Sequence, residues 1–374
     1  MSSKLTFTFL ILALLSSCAR PSFLKDSSEE KQANELKSVK VPVVEVAPKP
    51  VVKEKKVLPK LELWPKIAQN NKVAKYCKKV DKKFHHWGWG KSRCQNIEWL
   101  NVRTSHLGDP LIWAVYGDES KLKEGSVDMT LILCGVHGDE ITPIKFCFDI
   151  IHHLERVTKN HLPGHEDLKD KLVVVAPIVN PDSFFKRRPT RTNARGVDVN
   201  RNFPTKDWSK DARRLWISRY KRDKRRNPGR SALSEQETVF QVNLIKRYSP
   251  AKIISVHAPL TIIDYDGPEF AEHSHEAGQF VVPNAKQLLV QMSQKANDYK
   301  IKNYPFFPGS LGNYAGNERK IPTYTIELPT SDNRRHKDYW NTFKDAIHSA
   351  ITHDMNKDVE VATAPDEDKA ATTN

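Results

Sequence analysis

The sequence predicts an α/β fold, a single domain whose mixed, mostly parallel sheet is covered by helices on both faces. Three observations predict it. Short apolar runs rich in β-branched residues alternate with segments of helical period, the pattern of a sheet wound through crossover helices. Most of those runs lack polar alternation, so both faces of the sheet must be covered. The chain of 374 residues is globular in its middle and polar at both ends, which leaves one domain of about 250–300 residues.

Taken in chain order, residues 1–18 read as a signal. "MSSKLTFTFLILALLSSCAR" places one Lys before a largely apolar run over 5–15 and small residues before Cys18. The run falls short of the ~20 residues that span a bilayer and has the shape of a signal-peptide core. Leu15-Ser16-Ser17-Cys18 resembles the bacterial lipobox, in which the Cys is lipidated and becomes the first mature residue. The expected location is therefore the bacterial periplasm, lipid-anchored to a membrane, with the outer membrane preferred; an ordinary secretory signal would give a secreted protein. Residues 19–60 are rich in Lys, Glu and Pro without apolar periodicity and read as a disordered, extended linker. At ~3.1 Å per residue it could reach ~130 Å.

Residues 61–107 form a Lys- and Trp-rich lead-in in which Cys77 and Cys94 could pair in an oxidising compartment. Cys134 and Cys147 sit in apolar contexts and read as small buried residues. The body of the domain is placed at 108–352. Its expected strands are 110–117, 130–136, 171–179, 252–256 and 322–328. Its expected helices are 143–157 and 234–248, the second opened by a Ser234/Glu237 capping box. The tail, 353–374, reads as disordered.

The polar residues that need explaining fall at the C-terminal ends of these strands. "LILCGVHGDEIT" ends an apolar run with His137 and Glu140, "NPDS" follows the next strand, His257 ends "KIISV", and Glu327 closes "PTYTIEL". In open α/β sheets that rim is where ligands bind. His, Glu and His form a zinc set with one open position, as in catalytic sites. "RTNARGVDVNRNFP" adds Arg191, Asn200 and Arg201, a cluster able to clamp a carboxylate and polarise a carbonyl.

These motifs, with "PGSLGNY" and "YTIELP", come in the order found in zinc metallocarboxypeptidases. The chain resembles that family from about Gly108 to Ala350, and most closely its murein peptide amidase branch, which cuts the γ-D-glutamyl–diaminopimelate bond. The resemblance implies a carboxypeptidase-like fold and one zinc ion per chain held by His137, Glu140 and His257. It implies that Glu327 is the general base that activates water and then protonates the leaving amine. By the same match Arg191 stabilises the oxyanion, Asn200 and Arg201 hold the substrate's terminal carboxylate, and Asp198 orients the first ligand His. Tyr304 matches a mobile tyrosine over the substrate, with Tyr314 as a competitor.

Ser183 stands where Gly is common in the family. Segment 205–230 holds eleven Lys or Arg against three Asp, +8 of the overall formal charge of +15. It reads either as a solvated loop or as a grip on peptidoglycan, whose free carboxylates make it anionic. The expected partners are peptidoglycan or muropeptides, with membrane association through the lipid; export argues against nucleic acid. The expected reaction is hydrolysis of peptidoglycan stem peptides, at the γ-D-glutamyl–diaminopimelate bond or by a nearby carboxypeptidase cut. Its rivals are a general metallocarboxypeptidase acting on peptide C-termini and a non-catalytic wall-binding lipoprotein. Asp264 and Asp266, shortly after His257, read either as a solvated turn or as an acidic partner of the extra ammonium of diaminopimelate.

Overall fold

The computed structural model describes residues 71–124, 127–159, 162–268 and 284–355. The expected signal, Cys18, the linker, the first ten lead-in residues and the chain beyond 355 lie outside the described residues. Eight strands form one sheet in the order β1-β2-β4-β3-β5-β8-β6-β7. They are β1 Leu100–Thr104, β2 Pro110–Tyr116, β3 Asp128–Cys134, β4 Lys171–Ala176, β5 Lys252–His257, β6 Ile262–Tyr265, β7 Ile301–Lys302 and β8 Thr323–Glu327. The four central strands, β4-β3-β5-β8, are mutually parallel, whereas β1-β2, β2-β4 and β6-β8 pair antiparallel. The sheet is thus mixed with a parallel centre.

Alternate strand residues feed two separate cores, as the period of two demands. Ile132 and Cys134 of β3, Val173 and Val175 of β4, and Ile254 and Val256 of β5 face one core. Leu131, Leu133, Leu172, Val174 and Ile253 face the other. Every residue of β3 and of β5 is buried, which explains the missing polar alternation. The helices are α1 Asn71–His86, α2 Ile141–Thr158, α3 His165–Leu168, α4 Pro181–Phe184, α5 Arg213–Ser218, α6 Gln236–Tyr248, α7 Asn284–Lys295 and α8 His336–Thr352. α1, α2, α7 and α8 supply the first core; α6 and the segment around Tyr314 supply the second.

The lead-in is built into this domain. α1 buries Val73, Tyr76, Cys77, Val80 and Phe84, a helical stripe, and the Cys77–Cys94 disulfide ties it to the turn before β1 with a Cα–Cα distance of 5.3 Å. Three expectations need correction. Cys134 and Cys147 are a second disulfide, Cα–Cα 6.3 Å, because β3 and α2 lie side by side. Glu235, not Ser234, stands at the N-cap position of α6, and its side chain makes no capping bond. The Ser234 hydroxyl is engaged by Asn202 and Glu235, and the Glu237 carboxyl accepts from Asn193 rather than folding back. Residues 353–355 belong to the domain: Lys252 bonds the His353 carbonyl, and the Met355 N–H donates to Asp128 at 2.7 Å.

Candidate metal centre and substrate cleft

The loop between β3 and α2 is fixed from both sides before any function is considered. After Cys134 the chain turns at Gly135 with φ 61°. The carbonyls of Cys134 and Gly135 accept from Val179 and Asn180 at 3.0 and 2.9 Å, and the Asn180 amide donates to Val136. At Gly138 a Cβ would stand 2.5 Å from the Phe184 nitrogen and the Ser183 hydroxyl. The loop therefore packs directly on α4, and only Gly fits there. Ser183 also bonds the Thr190 carbonyl, which accepts from the Asp139 N–H as well. The serine ties the Arg191 segment to the loop. On the other side, the Cys134–Cys147 disulfide joins the end of β3 to α2.

This frame brings three side chains from two elements to one point. His137 Nδ1 lies 2.8 Å from Glu140 Oε1, and His257 Nδ1 lies 2.9 Å from Glu140 Oε2. One ligand atom from each residue lies within 4.8 Å of the others, and all three residues are buried. The remaining ring nitrogens are taken: His137 Nε2 by Asp198 at 3.1 Å and His257 Nε2 by Ser255 at 2.9 Å. Both Nδ1 atoms therefore face the carboxylate while both Nε2 atoms are held from behind, as in imidazoles positioned for a metal. Two nitrogens and a carboxylate suit zinc. Burial opposes ionisation of Glu140, but His137 and His257 overrule it and hold the carboxyl well below its ordinary range. The donor set fits the ion that the resemblance implies.

Glu327 sits in register with His257 across β5 and β8. Its Oε2 accepts from Leu260 N–H at 3.4 Å, and no Lys or Arg pairs with it among the described residues. Burial raises its carboxyl above the usual range; His257 opposes this and Glu140 adds to it. Arg191 donates through Nε to Asp198 at 3.0 Å and through Nη1 to Glu140 at 3.1 Å. Asp198 is wholly buried and also accepts from Asn200 N–H.

Asn200 Oδ1 accepts from Leu311 N–H at 2.8 Å. The Arg201 guanidinium lies over the Phe307 ring at 4.7 Å and donates to the Asn200 carbonyl. Its Nε is buried without a hydrogen-bond partner among the described residues. A Cβ on Gly309 would come within 2.2 Å of the Arg201 carbonyl, so the 307–312 loop seats this arginine closely.

His137, Glu140, Arg191, Asn200, Arg201, His257 and Glu327 all line one cleft of about 570 Å³. Tyr304 stands in its wall, 43% exposed. Tyr314 is instead buried against Phe203, under the Arg319 guanidinium, which removes it as a competitor. Asp264 and Asp266 line the same cleft. Burial and the charge of Asp266 push Asp264 up to about 7, and burial raises Asp266 as well. A larger groove of about 930 Å³ runs along β1 past Asn101, Arg103 and Gln236, but no cluster of metal ligands faces it among the described residues.

Sequence reasoning missed Ser255, whose signal was its place two residues before His257 on the same strand face. It also missed Asp139, Arg225 and Arg226 as cleft-lining residues. Arg225 reaches Asp139 at 2.7 Å across 86 positions, a contact that no local pattern announces.

Comparison with known proteins adds an independent line. A family profile described as zinc carboxypeptidase matches residues 91–355. Murein peptide amidase A of Vibrio campbellii is 30% identical over 244 residues, 63% of this chain and 83% of that protein. Its namesake from Escherichia coli K12 is 34% identical over 162 residues, so the match spans 43% of this chain and 59% of that relative. Bovine thrombin-activatable fibrinolysis inhibitor, solved with tick carboxypeptidase inhibitor, superposes with a TM-score of 0.52 at 17% identity. That likeness covers 75% of this chain and 94% of the other, and it speaks to the fold alone.

Proposed function

The chain belongs to the zinc carboxypeptidase family, and from that premise we propose that it hydrolyses peptidoglycan stem peptides, cutting the γ-D-glutamyl–diaminopimelate bond. One observation carries the reading. The ligand triad, the strand-paired Glu327 and the buried, under-bonded Arg201 all face a single cleft. The names of the two amidase relatives supply the substrate class.

In this reading His137, Glu140 and His257 hold one zinc ion. When bound, zinc supplies Lewis acidity, which polarises a carbonyl and makes water a stronger acid. Arg201 and Asn200 fix the free carboxylate of the substrate, which sets the register of the scissile bond in the cleft. Glu327 takes the proton of the attacking water on its carboxylate and passes it to the leaving nitrogen; its raised affinity for a proton suits both transfers. Arg191, held by Asp198 and Glu140, presents its positive charge where the oxyanion develops. Tyr304, partly exposed in the cleft wall, covers the substrate.

Asp264 and Asp266 support the choice of diaminopimelate. Burial raises the proton affinity of both carboxyls, the charge of Asp266 raises Asp264 further, and no Lys or Arg forms an ion pair with either among the described residues. A substrate ammonium placed beside them would offset the cost of burying these carboxylates. Lipidation at Cys18 would tether the enzyme in the periplasm, with the linker giving it reach to the wall.

The test is to digest purified L-Ala-γ-D-Glu-diaminopimelate and ordinary peptides, and to read product masses. Release of free diaminopimelate, with little action on the peptides, is the expected result. Stepwise loss of C-terminal residues from ordinary peptides would make the chain a general carboxypeptidase. No hydrolysis of either by the zinc-loaded protein would leave a wall-binding lipoprotein.

A further inference from the structure

We propose that segment 205–230 is a rigid basic wall that binds the anionic, carboxylate-bearing polymer from which the substrate peptide is cut. The proposal rests on the reading above for the identity of that polymer, but its physical case comes from a different part of the molecule.

A solvated loop with eleven Lys or Arg against three Asp should spread its like charges apart. This segment is instead folded and anchored. Trp208 is buried and donates its indole N–H to the Arg201 carbonyl at 2.9 Å. Asp207 accepts from the Asn313 amide. The Trp216 indole donates to the Asp223 carbonyl at 2.7 Å, closing the turn after α5. The Tyr220 ring carries Arg226 at 4.7 Å and Arg219 at 5.6 Å. Lys221 and Arg222 are held at φ 49° and 59°, the left-handed region that residues with a Cβ avoid, and a free loop has no reason to keep two in succession there.

The charge on this scaffold is mostly unspent. Arg214 pairs with Asp211, Arg225 with Asp139 and Arg226 with Asp223. Arg213, Arg219, Lys221, Arg222 and Lys224 are exposed and have no carboxylate within ion-pair distance among the described residues. Holding like charges together on a fixed frame costs stability unless a polyanion neutralises them.

Position selects the partner. Asp223, Arg225 and Arg226 line the same cleft as the ligand triad, and Trp208 is bonded to the arginine that faces the substrate. Whatever the wall holds must leave the cleft open to a peptide. A flexible polymer with a carboxylate on each stem does so, and its stems hang beside the cleft mouth. A flat anionic membrane drawn onto the wall would cover that mouth.

The test uses the full-length, zinc-loaded protein in detergent. Its sedimentation with purified peptidoglycan sacculi is compared with that of an Arg213→Glu/Arg222→Glu/Lys224→Glu variant. These side chains are exposed and lie outside the lining of the cleft, so turnover of a soluble stem tripeptide should stay within about twofold. Exposed charge contacts are individually weak and salt-sensitive. Three reversals together should cut retention on sacculi by ~10-fold or more, and amidating the sacculus carboxyls should do the same to the wild type. Equal retention of variant and wild type, or undiminished binding to amidated sacculi, would overturn the proposal. So would a loss of binding confined to anionic lipid vesicles, which would assign the wall to a membrane. The tripeptide assay keeps the readings separate: without turnover the proposed function fails even where sacculus binding behaves as expected, and the reverse outcome removes only the wall.

Discussion

At the scale of single residues, the proposed ligands are legible because their chemistry and their place agree. His137, Glu140 and His257 follow apolar runs that can only be strands, and strand ends in a parallel sheet share a rim. Glu237 departs from its expected role because a capping-box pattern says nothing about burial. Its carboxyl is enclosed, with Asn193 on one oxygen and no partner on Oε1 among the described residues. Burial, with help from Asp182 and Glu235 and against the Asn193 bond, pushes it up to about 7. The folded state thus keeps a proton that the unfolded chain sheds near its ordinary 4.5. Stability from this group is complete at low pH and is lost as pH rises through 7. Between pH 4.5 and 7 the loss should be on the order of 3 kcal/mol. Urea midpoints at pH 5 and pH 8 should differ in the wild type and differ much less in Glu237→Gln; parallel shifts in both would contradict the assignment. Glu327→Gln should keep zinc content and melting temperature while turnover drops by ~10²–10⁴-fold. A Gln variant that is unstable yet active would make Glu327 a structural carboxylate. Asp264→Asn/Asp266→Asn should weaken cleavage of diaminopimelate peptides more than of lysine-containing ones, and equal losses would remove the pair from specificity.

At the scale of elements, the central strands could be read because they are continuous apolar runs, and the edges could not. β7 is two exposed residues and β1 is half exposed; neither carries a signal beyond its neighbours' register. α1 was different. Its stripe of Val73, Tyr76, Cys77, Val80 and Phe84 is a helical pattern hidden among lysines, and it went unread for want of a strand to pack it against. The Cys134–Cys147 bond escaped because sequence alone does not say that α2 folds back along β3. That bond bridges a loop carrying two of the three proposed ligands, so its removal should act on the site as well as on the fold. Cys134→Ala/Cys147→Ala should lose about 3 kcal/mol of stability, seen as a lower denaturant midpoint. Zinc affinity, measured by competition with a chelator, should fall with it. An unchanged affinity would mean that packing on α4 alone holds the loop.

At the scale of the whole molecule, the chain is a fixed catalytic body among segments whose expected roles are positional. If Cys18 anchors a lipid, Cys18→Ala should move the protein from the membrane fraction to the soluble one without altering turnover of a soluble tripeptide. Unchanged fractionation, with no lipid mass on the N-terminus, would exclude the tether. The central claim is that this body is a one-zinc hydrolase of stem peptides, and zinc titration of the chelated protein against tripeptide hydrolysis tests it most directly. Cleavage should be absent without metal, rise linearly and level off at about one equivalent, as the one buried triad among the described residues requires. Hydrolysis that persists in excess chelator, or that never appears however much zinc is added, would contradict it.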